Sequence, residues 1–271
     1  MRVVVTGGSS GVGAALVARL VKAGHEVHNL DVVAPKNDGS TYMECDMSSE
    51  TSIDAAVAQL PDTLDALVNV AGIAKAAVGT KVVAVNFLGL RHLTRSLFDR
   101  LIEHGSVVSV SSIAGRDWAR RYDKLLPLLE SANMAEGLDW CDQNLEWVER
   151  DPYGLSKQLA TAFTLREAQT FLAAYKQINC VSPGNIDTPL YEQFEAMMGE
   201  DHSNWMIDQA GRFSTADEIA EVIDMLISSG CIRLNGVDIP VDGGYSAGIE
   251  SGWIDFSASP MGQALAAARA N

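Results

Sequence analysis

The feature that most restricts the fold of this 271-residue chain is its opening. A short β-prone run at residues 3–6 leads straight into Thr6-Gly7-Gly8-Ser9-Ser10-Gly11-Val12-Gly13. Apolar residues then recur at helical spacing: Val12, Leu16, Val17, Leu20 and Val21. A strand, a glycine-rich turn and a helix in that order begin a βαβ unit, and such units build a parallel sheet covered by helices. The turn also implies a chemistry. Glycines let the backbone turn tightly and approach a pyrophosphate, and a helix N-terminus offers unpaired N–H groups with a partial positive charge. Gly7, Gly11 and Gly13, with Ser9, Ser10 and Val12 between them, are the candidate cradle for a dinucleotide. Their spacing is not the commoner G-x-G-x-x-G.

The alternation continues. Residues 26–31 and 42–45 read as strands, 49–60 as a helix, 64–70 as a strand, 80–104 as a long helix stopped by Gly105, and 106–111 as a strand. This pattern predicts an α/β fold with a doubly wound parallel sheet. Residues 116–150 depart from it. They carry Trp118, Trp140 and Trp147 among leucines and read as a helical excursion. A helix over 152–175 follows, with Asp151 as N-cap and Pro152 in its first turn. Next come a strand at 177–181, a mobile helical lid over 189–210 and an amphipathic helix over 215–229. That helix opens on a capping box, Thr215 with Glu218. A last strand at 237–241 precedes an alanine-rich tail, 245–271, of ambiguous structure. No repeat or linker divides the chain, so one domain over 1–271 is expected.

Composition excludes some functions. Asp+Glu number 35 against Lys+Arg 20, a formal net charge of −15. Nucleic acid and anionic membranes call for cationic surfaces, so neither partner is expected. The four cysteines, at 45, 141, 180 and 231, show no paired spacing, and no metal site is expected. No apolar run approaches a membrane span, and a strand begins at Arg2 where a signal peptide would stand. A cytoplasmic enzyme is the expectation.

Tyr153 and Lys157 are four apart in the helix that starts at Pro152, so they share one face. An ammonium beside a phenol favours the phenolate and lowers its pKa. A tyrosine so tuned acts as a general base on an alcohol. Ser111 and Ser112 end a central strand, where ligands of open α/β sheets gather, and alternation lets only one of them point inward. Asp31 ends the second strand. A carboxylate there accepts ribose hydroxyls and repels a 2′-phosphate, and Val32 and Val33 after it offer such a phosphate no partner. NAD is therefore favoured over NADP. Asn86 interrupts an apolar stretch, either as a helix-bend residue or as one that holds a water.

Taken together, these residues resemble the short-chain dehydrogenase/reductase family over nearly the whole chain, up to about Gly244. Thr6 to Gly13 is similar to the family's T-G-x-x-x-G-x-G. Asn69-Val70-Ala71-Gly72 is similar to N-N-A-G, with Val70 in place of the second Asn. Pro183-Gly184-Asn185-Ile186-Asp187-Thr188 is similar to P-G-x-x-x-T. The resemblance implies a Rossmann-type fold and a catalytic tetrad of Asn86, Ser112, Tyr153 and Lys157. It selects Ser112 over Ser111 because the family's serine directly precedes x-A-G, here Ile113-Ala114-Gly115. It implies cofactor contacts at Asp46 and Met47 with the adenine, at Asn69, Ala71 and Gly72, at Tyr153 and Lys157, and at Pro183, Gly184, Ile186 and Thr188 around the nicotinamide. It also implies that Asn86 holds a proton-relaying water. Ser112 to Tyr153 spans 41 positions and Gly72 to Asn86 spans 14. The first is longer and the second shorter than usual, a combination that resembles the branch holding bacterial 3α-hydroxysteroid dehydrogenase/carbonyl reductase and coniferyl-alcohol dehydrogenase.

The expected function is NAD-dependent hydride transfer between a small aromatic, terpenoid or steroid-like alcohol and the nicotinamide, with Tyr153 as general acid/base. The alternatives are a 3α-hydroxysteroid or carbonyl substrate, or a catalytically idle NAD-binding sensor on the same fold. A homodimer is expected through residues 215–229 and 237–241, because the excursion crowds the other helical surface.

Overall fold

The computed structural model describes residues 1–270; Asn271, the end of the expected tail, lies outside the described residues. The first half runs β1 (Arg2–Thr6), α1 (Gly11–Lys22), β2 (Glu26–Asp31), β3 (Thr41–Glu44), α2 (Glu50–Val57) and β4 (Leu64–Asn69). It continues with α3 (Gly79–Val83), a π-helical turn (Ala84–Leu88), α4 (Gly89–Leu97) and β5 (Leu101–Val110). The second half runs α5 (Tyr122–Glu130), α6 (Met134–Gln143), α7 (Leu145–Val148), α8 (Pro152–Ala173), β6 (Gln177–Pro183), β7 (Ile186–Asp187), α9 (Tyr191–Met198) and α10 (Glu200–Ala210). Then come β8 (Ser214–Thr215), α11 (Ala216–Ser228), β9 (Asp238–Val241), α12 (Tyr245–Ser251) and α13 (Pro260–Ala270).

Seven strands form one parallel sheet in the order β3-β2-β1-β4-β5-β6-β9. Alternation along each strand feeds two cores, one per face. Val3 and Val5 pack with Leu16 of α1 and Ile223 of α11, while Val4 packs on the opposite side with Phe87 and Phe163. The order reverses between β1 and β4, so the carboxyl ends of those strands open a crevice in front of the glycine turn. The capping box of Thr215 and Glu218 forms as expected and starts α11, which buries Ile219, Ile223, Leu226 and Ile227 along one stripe.

The long helix expected over 80–104 is shorter and interrupted. Regular α-helix ends at Leu97, and Leu101 is already in β5, paired with Leu64. Gly105 therefore does not stop the helix; it lies inside the strand, where the register with β4 shifts. His104 takes the left-handed φ of +66° there, and its N–H donates to Tyr175 O at 2.7 Å. The buried side chain of Leu101 gains more from the sheet core than from a further helical turn. The π-helical turn lies in the middle, and the close approach of α4 to the chain fits it: a Cβ on Gly89 would stand 2.0 Å from Met47 O.

The excursion is helical, as expected, and it is fastened to the core. Arg91 of α4 is almost fully buried and donates to Leu128 O, Leu129 O and Asn133 O at 2.6, 3.3 and 3.2 Å. Those carbonyls lie at the end of α5 and just beyond it, where a helix leaves acceptors unpaired and favours a cation. Burial pulls the Arg91 pKa down to about 10, so the guanidinium stays charged at neutral pH. Glu50 Oε2 accepts from Met134 N, and Glu149 Oε1 from Gly79 N, so the middle and the far end of the excursion are hydrogen-bonded to the main fold.

The segment expected as a lid forms two helices, α9 and α10, with different packing. Helix α10 buries His202, Ser203 and Met206, and Trp205 meets Tyr245 and Phe256 of the tail edge-on at 6.1 and 6.4 Å. The tail thus has a packing role that its alanine-rich composition hides. Helix α9, by contrast, buries none of its residues.

Candidate active site

The cradle is built by close backbone approach. A Cβ on Gly7 would stand 2.7 Å from Ala71 Cα, and one on Gly13 would stand 2.0 Å from Gly7 O. Neither position admits a side chain. Gly7 and Gly11 also take left-handed φ values of +69° and +50°. Thr6 Oγ1 accepts from both Val70 N and Ala71 N, which ties the end of β1 to the end of β4. Ser10 caps α1 without a side-chain hydrogen bond, and no acidic residue follows in the first turn. The Thr188 methyl lies 3.6 Å from where a Gly11 Cβ would be, so the segment after β6 arches over this helix end. A backbone cradle with exposed helix N–H groups and no competing anion fits a pyrophosphate.

Asp31 sits at the rim. Its Oδ2 accepts from Ser9 N at 3.0 Å and its Oδ1 from Val33 N at 3.1 Å, and each oxygen keeps a second acceptor site. Val32 and Val33 beside it are mostly exposed. Asn29 braces the turn from below, accepting from Gly8 N at 3.0 Å. Asp46 turns inward, with Oδ1 accepting from Ser48 N and Ser48 Oγ at 2.8 and 2.7 Å. Met47 beside it is buried. Asn69 Nδ2 donates to Thr94 Oγ1 and Ser109 Oγ and so links β4 to α4 and β5.

The four residues of the expected tetrad converge at the end of β5. The two serines separate cleanly. Ser111 is buried, with its hydroxyl against Lys157 O at 3.0 Å and Thr161 Oγ1 at 2.7 Å. Ser112 is half-buried, accepts from Ala114 N at 3.2 Å, and lies near enough to the Tyr153 phenol to favour its ionised form. Helix α8 begins at the cap predicted for it, with Asp151 Oδ1 accepting from Gly154 N at 2.8 Å, which fixes Tyr153 in the first turn. Lys157, one turn on, donates from Nζ to Val110 O at 2.8 Å and lies 5.6 Å from the centre of the Tyr153 ring.

Asn86 lies in the π-helical turn, and its side chain makes three hydrogen bonds. Oδ1 accepts from Ile73 N, and Nδ2 donates to Ile73 O and to Ser156 Oγ, at 2.9, 2.9 and 3.0 Å. These bonds tie the turn to Ile73 and to α8. Beside Gly72 the space is bounded by Asn86 Oδ1 and Lys157 Nζ, 3.4 and 3.7 Å from where a Cβ would stand.

The electrostatics differ from the simple expectation. Burial pushes the Tyr153 phenol up to about 12; the hydrogen bond with Ser112 opposes this and the charge of Asp151 adds to it. Burial also pulls the Lys157 ammonium down to about 8. Desolvation thus sets the direction of both shifts. Sequence reasoning missed two residues. Ser156 joins Asn86 to α8, and Phe194 of α9 meets the Tyr153 ring edge-on at 4.7 Å. Neither carries a signal in the sequence, because both depend on how separate elements pack.

Comparison with known proteins agrees with this architecture. Residues 1–122 match the family described as short chain dehydrogenase, and residues 141–246 match the family described as Enoyl-(Acyl carrier protein) reductase. The chain is 32% identical to a coniferyl-alcohol dehydrogenase of a Pseudomonas species over 246 residues, covering 91% of this chain and 96% of that protein. It is 26% identical to the 3-alpha-hydroxysteroid dehydrogenase/carbonyl reductase of Comamonas testosteroni, covering 90% and 96%. Among solved structures, a Pseudomonas 3-alpha-hydroxysteroid dehydrogenase complexed with NADH superposes with a TM-score of 0.76 at 28% identity, covering 94% of this chain and all of that one. The chain belongs to the short-chain dehydrogenase family and is an oxidoreductase. Among the described residues no helix is long and apolar enough to cross a membrane.

The burial of Lys157 has a measurable consequence. A lysine whose folded pKa lies below its unfolded one binds fewer protons folded than unfolded between the two values, so stability rises with pH across that window. From pH 8 to pH 10 the wild type should gain about 2 kcal/mol of stability relative to Lys157→Met. Urea unfolding of both proteins, cofactor-free, at the two pH values checks this; parallel pH dependences would contradict it.

Proposed function

We propose that this member of the family oxidises an aryl-bearing alcohol with NAD, using Tyr153 as the proton-transfer group. One observation carries the reading: Tyr153 lies 5.6 Å from a buried lysine that is bonded to the carboxyl end of a central strand, where Ser112 follows, in front of the glycine cradle. When bound, the nicotinamide supplies a ring carbon, C4, that takes up hydride from the alcohol carbon or returns it. Ser112 orients the substrate oxygen. Tyr153 takes the hydroxyl proton in oxidation and gives it back in reduction. Lys157 holds the nicotinamide ribose and passes the proton on. Asn86, positioned by its bonds to Ile73 and Ser156, holds the water that relays the proton onward.

The cofactor contacts follow the fold. Gly7, Ser9, Ser10, Gly11, Val12 and Gly13 take the pyrophosphate. Asp31 takes the adenosine ribose, Asp46 and Met47 flank the adenine, and Asn69, Ala71 and Gly72 line the crevice. Pro183, Gly184, Ile186 and Thr188 take the nicotinamide end. The likeness to coniferyl-alcohol dehydrogenase supports an aryl alcohol. The likeness to 3-alpha-hydroxysteroid dehydrogenases favours a steroid as the second reading. One domain, paired with a second copy through α11 and the sheet-edge strand β9, completes the proposal; the excursion fastened by Arg91 covers α4 and α8, while Met225 of α11 remains exposed.

Three outcomes are expected. Tyr153→Phe should bind NAD as the wild type does and lose at least roughly a hundredfold in kcat on a good alcohol, since it removes only the proton-transfer group. Near-normal kcat in steady-state assays would overturn the mechanism. NAD should bind at least about tenfold more tightly than NADP, and Asp31→Ala should narrow the gap, because a carboxylate repels the 2′-phosphate. A fluorescence titration giving equal affinities would contradict this. Light scattering should give the mass of two protomers; a tetramer that persists on dilution would show that the excursion leaves the α4 and α8 surface open.

A further inference from the structure

Helix α9 brings an aromatic ring to the reacting centre. Phe194 lies against Tyr153 with ring centroids 4.7 Å apart and an interplanar angle of 70°, an edge-to-face contact. No residue of α9 is fully buried, and the helix is positioned by the partly buried Tyr191, Phe194 and Met198, the last packed against the cluster of Met206, Tyr245 and Ile254. Near its start, the Tyr191 ring meets Phe213 edge-on at 4.6 Å and its hydroxyl meets Ser203 of α10. At its far end Gly199 turns the chain with a φ of +84° in open space. Helix α10 beyond that turn is anchored on the tail through His202, Trp205 and Met206. Helix α9 is thus a leaf between a fixed helix and the strand end at Ile186–Asp187, and Phe194 is the side chain that carries it to the site.

An alcohol oxygen held by Ser112 and Tyr153 places the rest of its molecule against whatever faces the Tyr153 ring. We propose that Phe194 is a specificity-determining residue: its ring is the wall against which the flat, unsaturated ring of an aryl alcohol is held at Tyr153. A flat ring fits beside a phenyl group in an offset or edge-on arrangement and gains quadrupole attraction there. A saturated ring of the same carbon count is thicker and has no quadrupole, so it gains only the apolar contact. The proposal rests on the reading of Tyr153 as the proton-transfer group and names the substrate class that this group serves.

The test compares cinnamyl alcohol with its saturated analogue, 3-cyclohexylpropan-1-ol, using NAD and the full chain. Phe194→Ala should raise KM for cinnamyl alcohol roughly tenfold while kcat changes by less than about threefold. KM for the saturated alcohol should change by less than about threefold, and Phe194→Tyr should restore the wild-type preference. Because Phe194 is half-exposed, folding of these variants is checked simply by their melting temperatures. Equal changes in KM for both alcohols, no change for either, or no wild-type turnover of cinnamyl alcohol would overturn the proposal. Tyr153→Phe is assayed in parallel. If it is inactive while Phe194→Ala keeps the wild-type KM ratio, the wall alone is wrong. If it turns over normally, the reading of Tyr153 fails and the wall falls with it.

Discussion

The structure depends on how the end of β5 is joined to the first turns of α8. Val110, Ser111 and Ser112 each engage that helix in a different way. Val110 O accepts the Lys157 ammonium, Ser111 Oγ binds Lys157 O and Thr161, and Ser112 faces Tyr153. Gly115 completes the joint, because a Cβ there would stand within 2.8 Å of Ser111 Oγ, Lys157 O and Thr161 Oγ1. Burying an ammonium is costly, and the carbonyl of Val110 offsets only part of that cost. A site that keeps a lysine under such strain holds a charge ready for an anionic or hydroxyl-bearing ligand. From this joint a second chain of hydrogen bonds runs outward through Ser156 to Asn86 and Ile73, which fixes the loop after β4.

Two additions to the βα core adapt this joint. The excursion is fastened through a buried arginine and two carboxylate–backbone contacts, so it is a permanent wall of the fold. The tail reaches the other side and packs against α10, whereas α9 has no fully buried residue. The contrast has a physical origin. Helix α10 presents His202, Trp205 and Met206 to aromatic partners, whereas α9 turns Glu192 and Gln193 among its residues to solvent.

Most of the fold was legible because local rules and the global fold agree. The strand periods, the Thr215–Glu218 box and the Asp151 cap each place an element within a few residues of its observed bounds. The glycine turn was legible because glycine alone satisfies both its φ values and its close contacts. The readings that failed did so where tertiary packing outweighs propensity. The run around Phe98–Arg100 has no breaker, yet Leu101 leaves the helix for the sheet. The four-residue spacing places Lys157 near the Tyr153 ring, but the direction of each pKa shift is set by burial, which spacing does not report. Phe194 was hidden for the same reason, since only the fold of the lid brings α9 back to α8.

The account stands on one chemical claim, that hydride and proton leave the same alcohol, with Tyr153 taking the proton. Isotope transfer tests it most directly. With cinnamyl alcohol carrying two deuterons on its hydroxyl-bearing carbon, the account predicts that wild-type protein delivers one deuteron to C4 of the nicotinamide, detected by NMR of the reduced cofactor. It predicts that Tyr153→Phe, incubated for the same time, delivers almost none while still binding NAD. Product formed without deuterium in the cofactor, or equal labelling by Tyr153→Phe, would contradict it.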